Sequence, residues 1–381
     1  QGACLIFGLY WLLITSSNVN LKKYWPISIY FVIVFMSSLV SSDPVFVVLQ
    51  AGSLLSVIVF SISIFDGNQR FQYNFTKMIN YTVAIYVVVF VSSIIVIYSN
   101  PGLAYEFEPS VGQNRFRGVF VEPGMMANAS GLLVGISLFY LKNKFLKISI
   151  FSLAIICLAL TLSRTNWVAT LLSIVAVYFI YSNNKLRLIF GLAAVILVVS
   201  LVKIGFQLKA EKKGIEKTVR TESLGTLSGR TYLWEAGMEA LVKRPLLGYG
   251  YTTGTDALKE VDTKGNVYIE KLKRVNRNQR IEGNYHNGYI QALLDTGISG
   301  AIFYIITMVI PLWYLLKNVN KEKDSIEMVV MFILMYGFVA NFGKAYVYTA
   351  AVYDSVNYWM VLIAAYNLIA IKANRKEIDL K

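Results

Sequence analysis

Long uninterrupted apolar runs decide what this chain can be. Eleven can be marked along it, at about 3–15, 24–42, 45–65, 78–98, 124–141, 146–162, 165–182, 187–204, 297–316, 326–343 and 351–371. A helix needs roughly 20 apolar residues to cross the hydrocarbon core of a bilayer, so lipid is the solvent for most of the chain. The first run is too short to cross alone and the sequence opens at Gln1. That run looks truncated; if a whole span or part of one is missing before Gln1 the total becomes twelve, and no cleavable signal sequence is visible. Composition agrees: 56% of residues are hydrophobic, 15% are charged and the mean hydropathy is +0.55, whereas a soluble domain is about 25% charged. These numbers disfavour a soluble enzyme, a disordered tail, a disulfide-stapled secreted domain and a nucleic-acid binder. The net charge of +14 is read first as membrane topology and anionic ligands.

Eleven spans leave alternate connections on one side. Sixteen Lys and Arg fall in one set of connections, around 22–23, 70–77, 142–147, 185–187, 317–323 and 372–381. The opposite short connections hold four, Arg115, Arg117, Arg164 and Lys344, with Lys203 at a span end. Cytoplasmic connections are the Lys/Arg-rich ones, so the first set is cytoplasmic and the loops around 99–123, 163–165, 204–288 and 344–350 face outward. The fold expected is an all-α polytopic integral membrane protein of about 11–12 transmembrane helices. Helices one to eight occupy 1–203, a large extracytoplasmic loop with short helices occupies 204–288, and C-terminal transmembrane helices occupy 289–381. That loop holds the remaining fifteen Lys and Arg with ten Asp and Glu, and a segment so long is exempt from the charge rule. No linker would let it stand as an independent domain.

With Cys4 and Cys157 both inside apolar runs and a single histidine in the chain, no structural disulfide, no metal site and no cofactor are expected. Three groups stand out on the outer side. Arg164 lies in Leu162-Ser163-Arg164-Thr165-Asn166-Trp167, where the chain barely emerges before re-entering. Arg230 opens the amphipathic stretch Ser228-Gly229-Arg230-Thr231-Tyr232-Leu233-Trp234, with Ser228 as its expected cap and Pro245 ending it. His286 stands in Gly283-Asn284-Tyr285-His286-Asn287-Gly288-Tyr289, with Asn284 as the expected N-cap of a helix that ends at Gly297. The positive end of that helix dipole would disfavour imidazolium and leave a neutral base. Helix N–H groups and arginines together favour phosphate or pyrophosphate. Such a set could transfer a group away from a departing pyrophosphate, the arginines neutralising the growing charge and His286 accepting the proton of an attacking hydroxyl.

In these motifs the sequence resembles the bacterial O-antigen ligase and O-antigen or exopolysaccharide polymerase superfamily, membrane glycosyltransferases that use undecaprenyl-diphosphate-linked glycans. The resemblance is carried by Ser163-Arg164, by Gly229-Arg230 with Trp234, and by Pro245-Leu246-Leu247-Gly248-Tyr249-Gly250. His286-Asn287-Gly288-Tyr289 followed by Asp295-Thr296-Gly297 completes it. It implies a GT-C-like fold in the bacterial inner membrane, with the active site on the periplasmic side. It also implies that Arg164 and Arg230 engage the lipid diphosphate, that His286 activates the acceptor hydroxyl, and that transfer is inverting and metal-independent. Arg115, Arg117, Glu122, Arg220, Asn287 and Tyr289 are the accompanying substrate-binding candidates. The Arg115–Gly124 segment, with its Glu122-Pro123, is closer to polymerases than to ligases of the family. The partners implied are an undecaprenyl-diphosphate-linked oligosaccharide, an acceptor glycan or lipid A core, membrane lipids and a chain-length regulator, and no nucleic acid.

Bland readings stand beside these. An arginine at a span end ordinarily snorkels to the interface, and a lone histidine is ordinarily a capped structural one. Glu122 could simply pair with Arg117, and Arg220, Lys243 and Arg244 read as surface charges. The cluster Lys271, Lys273, Arg274, Arg277 and Arg280 suits lipid headgroups or anionic glycan. A transporter or flippase for an anionic lipid-linked glycan would also be basic, polytopic and aromatic-rich. Transporters concentrate ionisable groups near the bilayer midplane, whereas these spans are almost bare of charge, Asp354 being the principal exception.

Overall fold

The computed structural model describes residues 21–66, 70–108, 113–181, 230–261, 285–318, 325–344, 348 and 353–379. The apolar runs at 3–15 and 187–204, Arg220, Ser228, Asn284 and the basic cluster around 271–280 lie outside the described residues. The described chain is helical almost throughout, as an all-α polytopic membrane protein requires. Its helices are α1 (Trp25–Met36), α2 (Pro44–Phe65), α3 (Phe71–Ser99), α4 (Pro123–Phe139), α5 (Lys144–Leu160), α6 (Arg164–Tyr181), α7 (Arg230–Leu241), α8 (Gly288–Lys317), α9 (Ser325–Ala340) and α10 (Tyr353–Asp379). Nine of the eleven expected spans coincide with α1 to α6 and α8 to α10. Six helices among the described residues are long and apolar enough to cross a membrane, and α4 and α9 are shorter apolar helices.

Local chemistry explains the boundaries. At α2, Asp43 accepts the Phe46 N–H as N-cap while Pro44 supplies the first helical φ. Asn143 caps α5 through the N–H groups of Phe145 and Leu146. Hydroxyls buried in the apolar interior return to their own helix: Ser61 donates to the Val57 carbonyl at 2.6 Å and Ser130 to that of Met126 at 2.7 Å. No water is needed to satisfy them in lipid. Three expectations need correction. The outer segment 99–123 contains a short antiparallel hairpin, β1 (Tyr105–Glu108) with β2 (Gln113–Phe116). The α7 helix closes at Leu241, and a series of turns carries the chain past Pro245. The helix of His286 begins at Gly288 with Asn287 as its cap, because the Asn287 side chain accepts from both Tyr289 N and Ile290 N.

The chain forms two compact units. The first comprises 1–81, 232–318 and 333–381, the second 82–231 and 319–332. In the first unit α1 packs on α8 and α2 on α10. Lys23 pairs with Asp66 and also donates to Asn367 at 2.7 Å, and Asn367 donates to the Phe65 carbonyl. Lys23 and Asp66 belong to connections read as cytoplasmic, and Phe65 and Asn367 to the ends of the spans beside them. At the other end of the same helices Arg244 donates to the Val40 carbonyl at 2.7 Å and Ser42 to Asp256 at 3.0 Å, while the Tyr251 hydroxyl donates to the Tyr348 carbonyl at 3.0 Å. Those groups belong to connections read as outward.

In the second unit α4 packs on α5 and α6. A Cβ at Gly135 would stand 2.0 Å from the Phe332 ring, so only glycine admits that ring to α4. Lys147 donates to the Leu138 carbonyl on one side of the bundle and Arg115 to the Thr161 carbonyl on the other.

Candidate functional site

The two runs Pro245–Gly250 and Asp295–Gly297 prove to be halves of one joint. Tyr249 N donates to the Leu294 carbonyl at 2.8 Å, Gly250 N to that of Asp295 at 2.9 Å, and Ile298 N to that of Pro245 at 2.8 Å. Such close backbone approach excludes side chains. Gly248 and Gly297 hold φ of 66° and 68°, and a Cβ on Gly297 would sit 2.2 Å from the Leu246 carbonyl oxygen. Gly297 also breaks α8 internally, with ψ of −173°, so the helix that begins after His286 does end there.

Asp295 organises this joint from within. It is fully buried, and a buried carboxylate must be met by donors. One oxygen accepts Thr252 N at 2.7 Å, and the other accepts Gly254 N at 2.6 Å and the Gln291 side-chain amide at 2.8 Å. Gln291 and Asp295 form an i, i+4 polar pair on an otherwise apolar helix, and that pair was the sequence signal for a buried polar hub. Sequence reasoning missed their role, as it missed Asn341, whose carbonyl accepts Gly288 N at 2.8 Å.

His286 lies immediately before the Asn287 cap, half-buried, with φ of 52°. A non-glycine residue in that region persists only where its surroundings over-determine it, and such positions cluster at functional sites. Here both flanks are clamped. The Tyr285 carbonyl accepts the Trp234 indole N–H at 2.7 Å, Tyr285 N donates to the Gln291 side-chain oxygen at 3.1 Å, and Gly288 N is held by Asn341. Tyr285 itself sits in an apolar cluster with Leu233, Ala236, Tyr249 and Leu294, and burial raises its phenol pKa beyond the ordinary tyrosine range. Tyr249, at the edge of the same cluster, is pushed up to about 12 by burial and then by its hydrogen bond to Glu260. Asn287 and Tyr289 are occupied structurally: Asn287 caps α8, and the Tyr289 hydroxyl donates to the Phe338 carbonyl at 2.8 Å. Arg244 is likewise engaged, with Glu260 at 2.8 Å and its guanidinium 4.6 Å from the Tyr249 ring centre.

In the second unit Arg164 opens α6 and is exposed. The residue before Ser163, Leu162, has φ of 54°. The turn is fixed by Trp167, whose backbone N donates to Ser163 at 3.1 Å and whose indole donates to Leu158 at 2.9 Å. Below it, the buried Asn166 donates to Asn128 at 2.7 Å. Arg115, on β2, reaches the Thr161 carbonyl through Nε at 3.0 Å, three residues before Arg164. Arg117 binds the carbonyls of Leu103 and Val121, holding the hairpin to the segment that leads to Glu122. Glu122 occupies the N-cap position of α4 without a side-chain cap bond. Arg230 is the first residue of α7. Leu162, Thr252 and His286 are the non-glycine residues with positive φ among the described residues. One is His286 itself, one lies two residues before Arg164, and the backbone N–H of the third donates to Asp295. Among the described residues no three His, Cys, Asp or Glu side chains gather into a metal-binding group.

A family model for O-antigen ligases matches residues 149–305. Over that stretch the chain is similar to the O-antigen ligase family. The stretch shared with that family holds Arg164, Arg230, His286 and the Asp295 joint, whereas Arg115, Arg117 and Glu122 precede it. Among curated relatives, the exopolysaccharide production protein ExoQ of Rhizobium meliloti is 32% identical over 108 residues, 28% of this chain and 23% of that protein. An uncharacterized protein of Haemophilus influenzae is 28% identical over 184 residues, 45% of this chain and 43% of the relative. The match thus spans less than half the length of either relative.

Proposed function

We propose that the protein is a membrane glycosyltransferase that polymerises undecaprenyl-diphosphate-linked glycan repeat units at the outer face of a bacterial inner membrane. The acceptor hydroxyl oxygen attacks the anomeric carbon of the donor glycan, and the bond from that carbon to the diphosphate oxygen breaks. Undecaprenyl diphosphate leaves. His286 takes the hydroxyl proton, and Arg164 and Arg230 stabilise the negative charge that grows on the departing diphosphate. A single displacement of this kind inverts the anomeric centre. In the proposed step the arginines, with no metal or cofactor, meet the charge of the departing diphosphate. Arg115, Arg117, Glu122 and Arg220 are assigned to the glycan or lipid carrier, and Asn287 and Tyr289 to holding the segment that bears His286. A chain-length regulator is the expected protein partner.

The observation that carries this reading is His286: the chain's single histidine, held in a left-handed backbone beside a capped helix, within the stretch shared with the O-antigen ligase family. The family's own description favours a second reading, in which the acceptor is lipid A core and the protein is a ligase of lipopolysaccharide biosynthesis. Deletion of the encoding locus, followed by a gel of surface polysaccharide, separates the two. Capped single repeats support the polymerase; long unattached chains on the carrier support the ligase. Neither comparison favours the flippase, and reconstituted protein that moved lipid-linked donor between leaflets while forming no glycosidic bond would overturn both readings.

A further inference from the structure

We infer that Asp295 is the positioning residue for His286, acting through Gln291 and Tyr285; this inference rests on the catalytic reading of His286 above. The contacts form a closed ring. Gly254 N donates to Asp295 at 2.6 Å, the Tyr285 hydroxyl donates to the Gly254 carbonyl at 3.3 Å, Tyr285 N donates to Gln291 at 3.1 Å, and Gln291 returns to Asp295 at 2.8 Å. Three of the four members are fixed by structure outside the ring. Asp295 also receives Thr252 N at 2.7 Å, the Tyr285 carbonyl receives Trp234 at 2.7 Å, and Gly254 opens a tight helical turn over Gly254–Glu260.

The ring matters because of where it ends. Tyr285 and Asn287 set the direction in which the His286 side chain leaves the backbone, and His286 holds an unfavourable φ of 52°. Asn287 is fixed by the α8 terminus, so Tyr285 is the flank that the ring controls. Asp295 bonds only through acceptor oxygens: Thr252 N and Gly254 N are backbone donors that cannot reverse, and Gln291 must point its amide nitrogen at Asp295 to leave its oxygen for Tyr285. An asparagine at 295 presents an N–H₂ where one of these donors points. Placed on the side of Gly254 N and Gln291, that group opposes two donors and Gln291 must turn away, which releases Tyr285 N; placed on the side of Thr252 N, it repels the loop that carries Gly254, to whose carbonyl the Tyr285 hydroxyl is bonded. The docked loop and the catalytic histidine are therefore one mechanical piece, with the carboxylate as its pin.

The test uses the 381-residue chain in lipid nanodiscs, carrying an affinity tag without histidine. Because the chain has a single histidine, isotope-labelled histidine gives one set of NMR signals, all from His286. In Asp295→Asn we expect that signal to shift or split. We also expect kcat for glycan transfer to fall about 10²-fold, the loss a misplaced catalytic group produces, with the donor KM within about threefold of wild type. Gln291→Ala should do the same, and the double variant should be no worse than the worse single one, since both act on one path. If Asp295→Asn does not accumulate, Gln291→Ala alone decides. Variants that melt at lower temperature but keep the wild-type histidine signal and kcat would overturn the proposal. Retained transfer by His286→Ala would instead refute the catalytic reading, while the histidine signal would still report whether Asp295 positions that residue.

Discussion

The carboxylate of Asp295 accepts the backbone N–H of Gly254 at 2.6 Å, joining the segment that follows α7 to the first half of α8 across 41 residues of sequence. A Cβ at Gly254 would lie 2.2 Å from that same carboxylate oxygen. Gly254→Ala is therefore expected to push the loop off Asp295. Because the carboxylate is held by three donors and cannot yield, the cost should be about 1–3 kcal/mol, the usual range for overpacking. Thermal unfolding in nanodiscs measures it, and an unchanged melting temperature would show that the joint is looser than described.

Trp234→Phe keeps the ring and removes the indole donor to the Tyr285 carbonyl. Leaving a buried carbonyl without its partner costs about 1–3 kcal/mol. Transfer activity should fall with stability here, because Tyr285 flanks His286.

Much of this was readable before any coordinates, for reasons particular to lipid. Nine helices appear where apolar runs stand, because a bilayer leaves a long apolar segment little alternative to a helix. The charge asymmetry named sides, and groups such as Lys23, Asp66 and Asn367 then meet at one end. Less was readable where the chain leaves lipid. The first strand of the hairpin, Tyr105-Glu106-Phe107-Glu108, does alternate, but over only four residues, and its partner Gln113-Asn114-Arg115-Phe116 does not. Asn284 and Asn287 are equivalent in type as caps, and it is Asn287 that caps the helix, next to a Gly288 whose N–H is held by the Asn341 carbonyl. The run Asp295-Thr296-Gly297 was visible as a motif, but its job needed the loop that folds onto it. In Arg115 and Arg117, sequence shows two free cations, whereas the structure commits guanidinium nitrogens of both to backbone carbonyls.

Asp66→Asn removes the charge partner of Lys23. The two side chains are 7% and 15% exposed, so the ammonium would be left largely desolvated with the Asn367 amide oxygen as a remaining partner. Breaking a buried pair on one side costs about 3–5 kcal/mol, and the wild-type cation at that site makes Lys23→Met with Asp66→Asn the informative double variant. It should be more stable than Asp66→Asn alone, as read by chemical or thermal unfolding.

Arg115→Ala should cost about 0.3–1 kcal/mol, the scale of a cation at a helix C-terminus, because Arg115 caps the end of α5 at Thr161. A loss of transfer much larger than this stability change, measured on the same preparation, would mark Arg115 as a substrate ligand in addition.

The central claim is that the single histidine is the base in a glycosyl transfer. Purified His286→Ala protein, reconstituted with undecaprenyl-diphosphate-linked glycan and acceptor, tests it with donor binding and product formation followed in parallel. The account predicts that donor binding persists while glycan transfer falls by about 10²–10⁴-fold, the contribution of a general base. Transfer at the wild-type rate by the variant would contradict it.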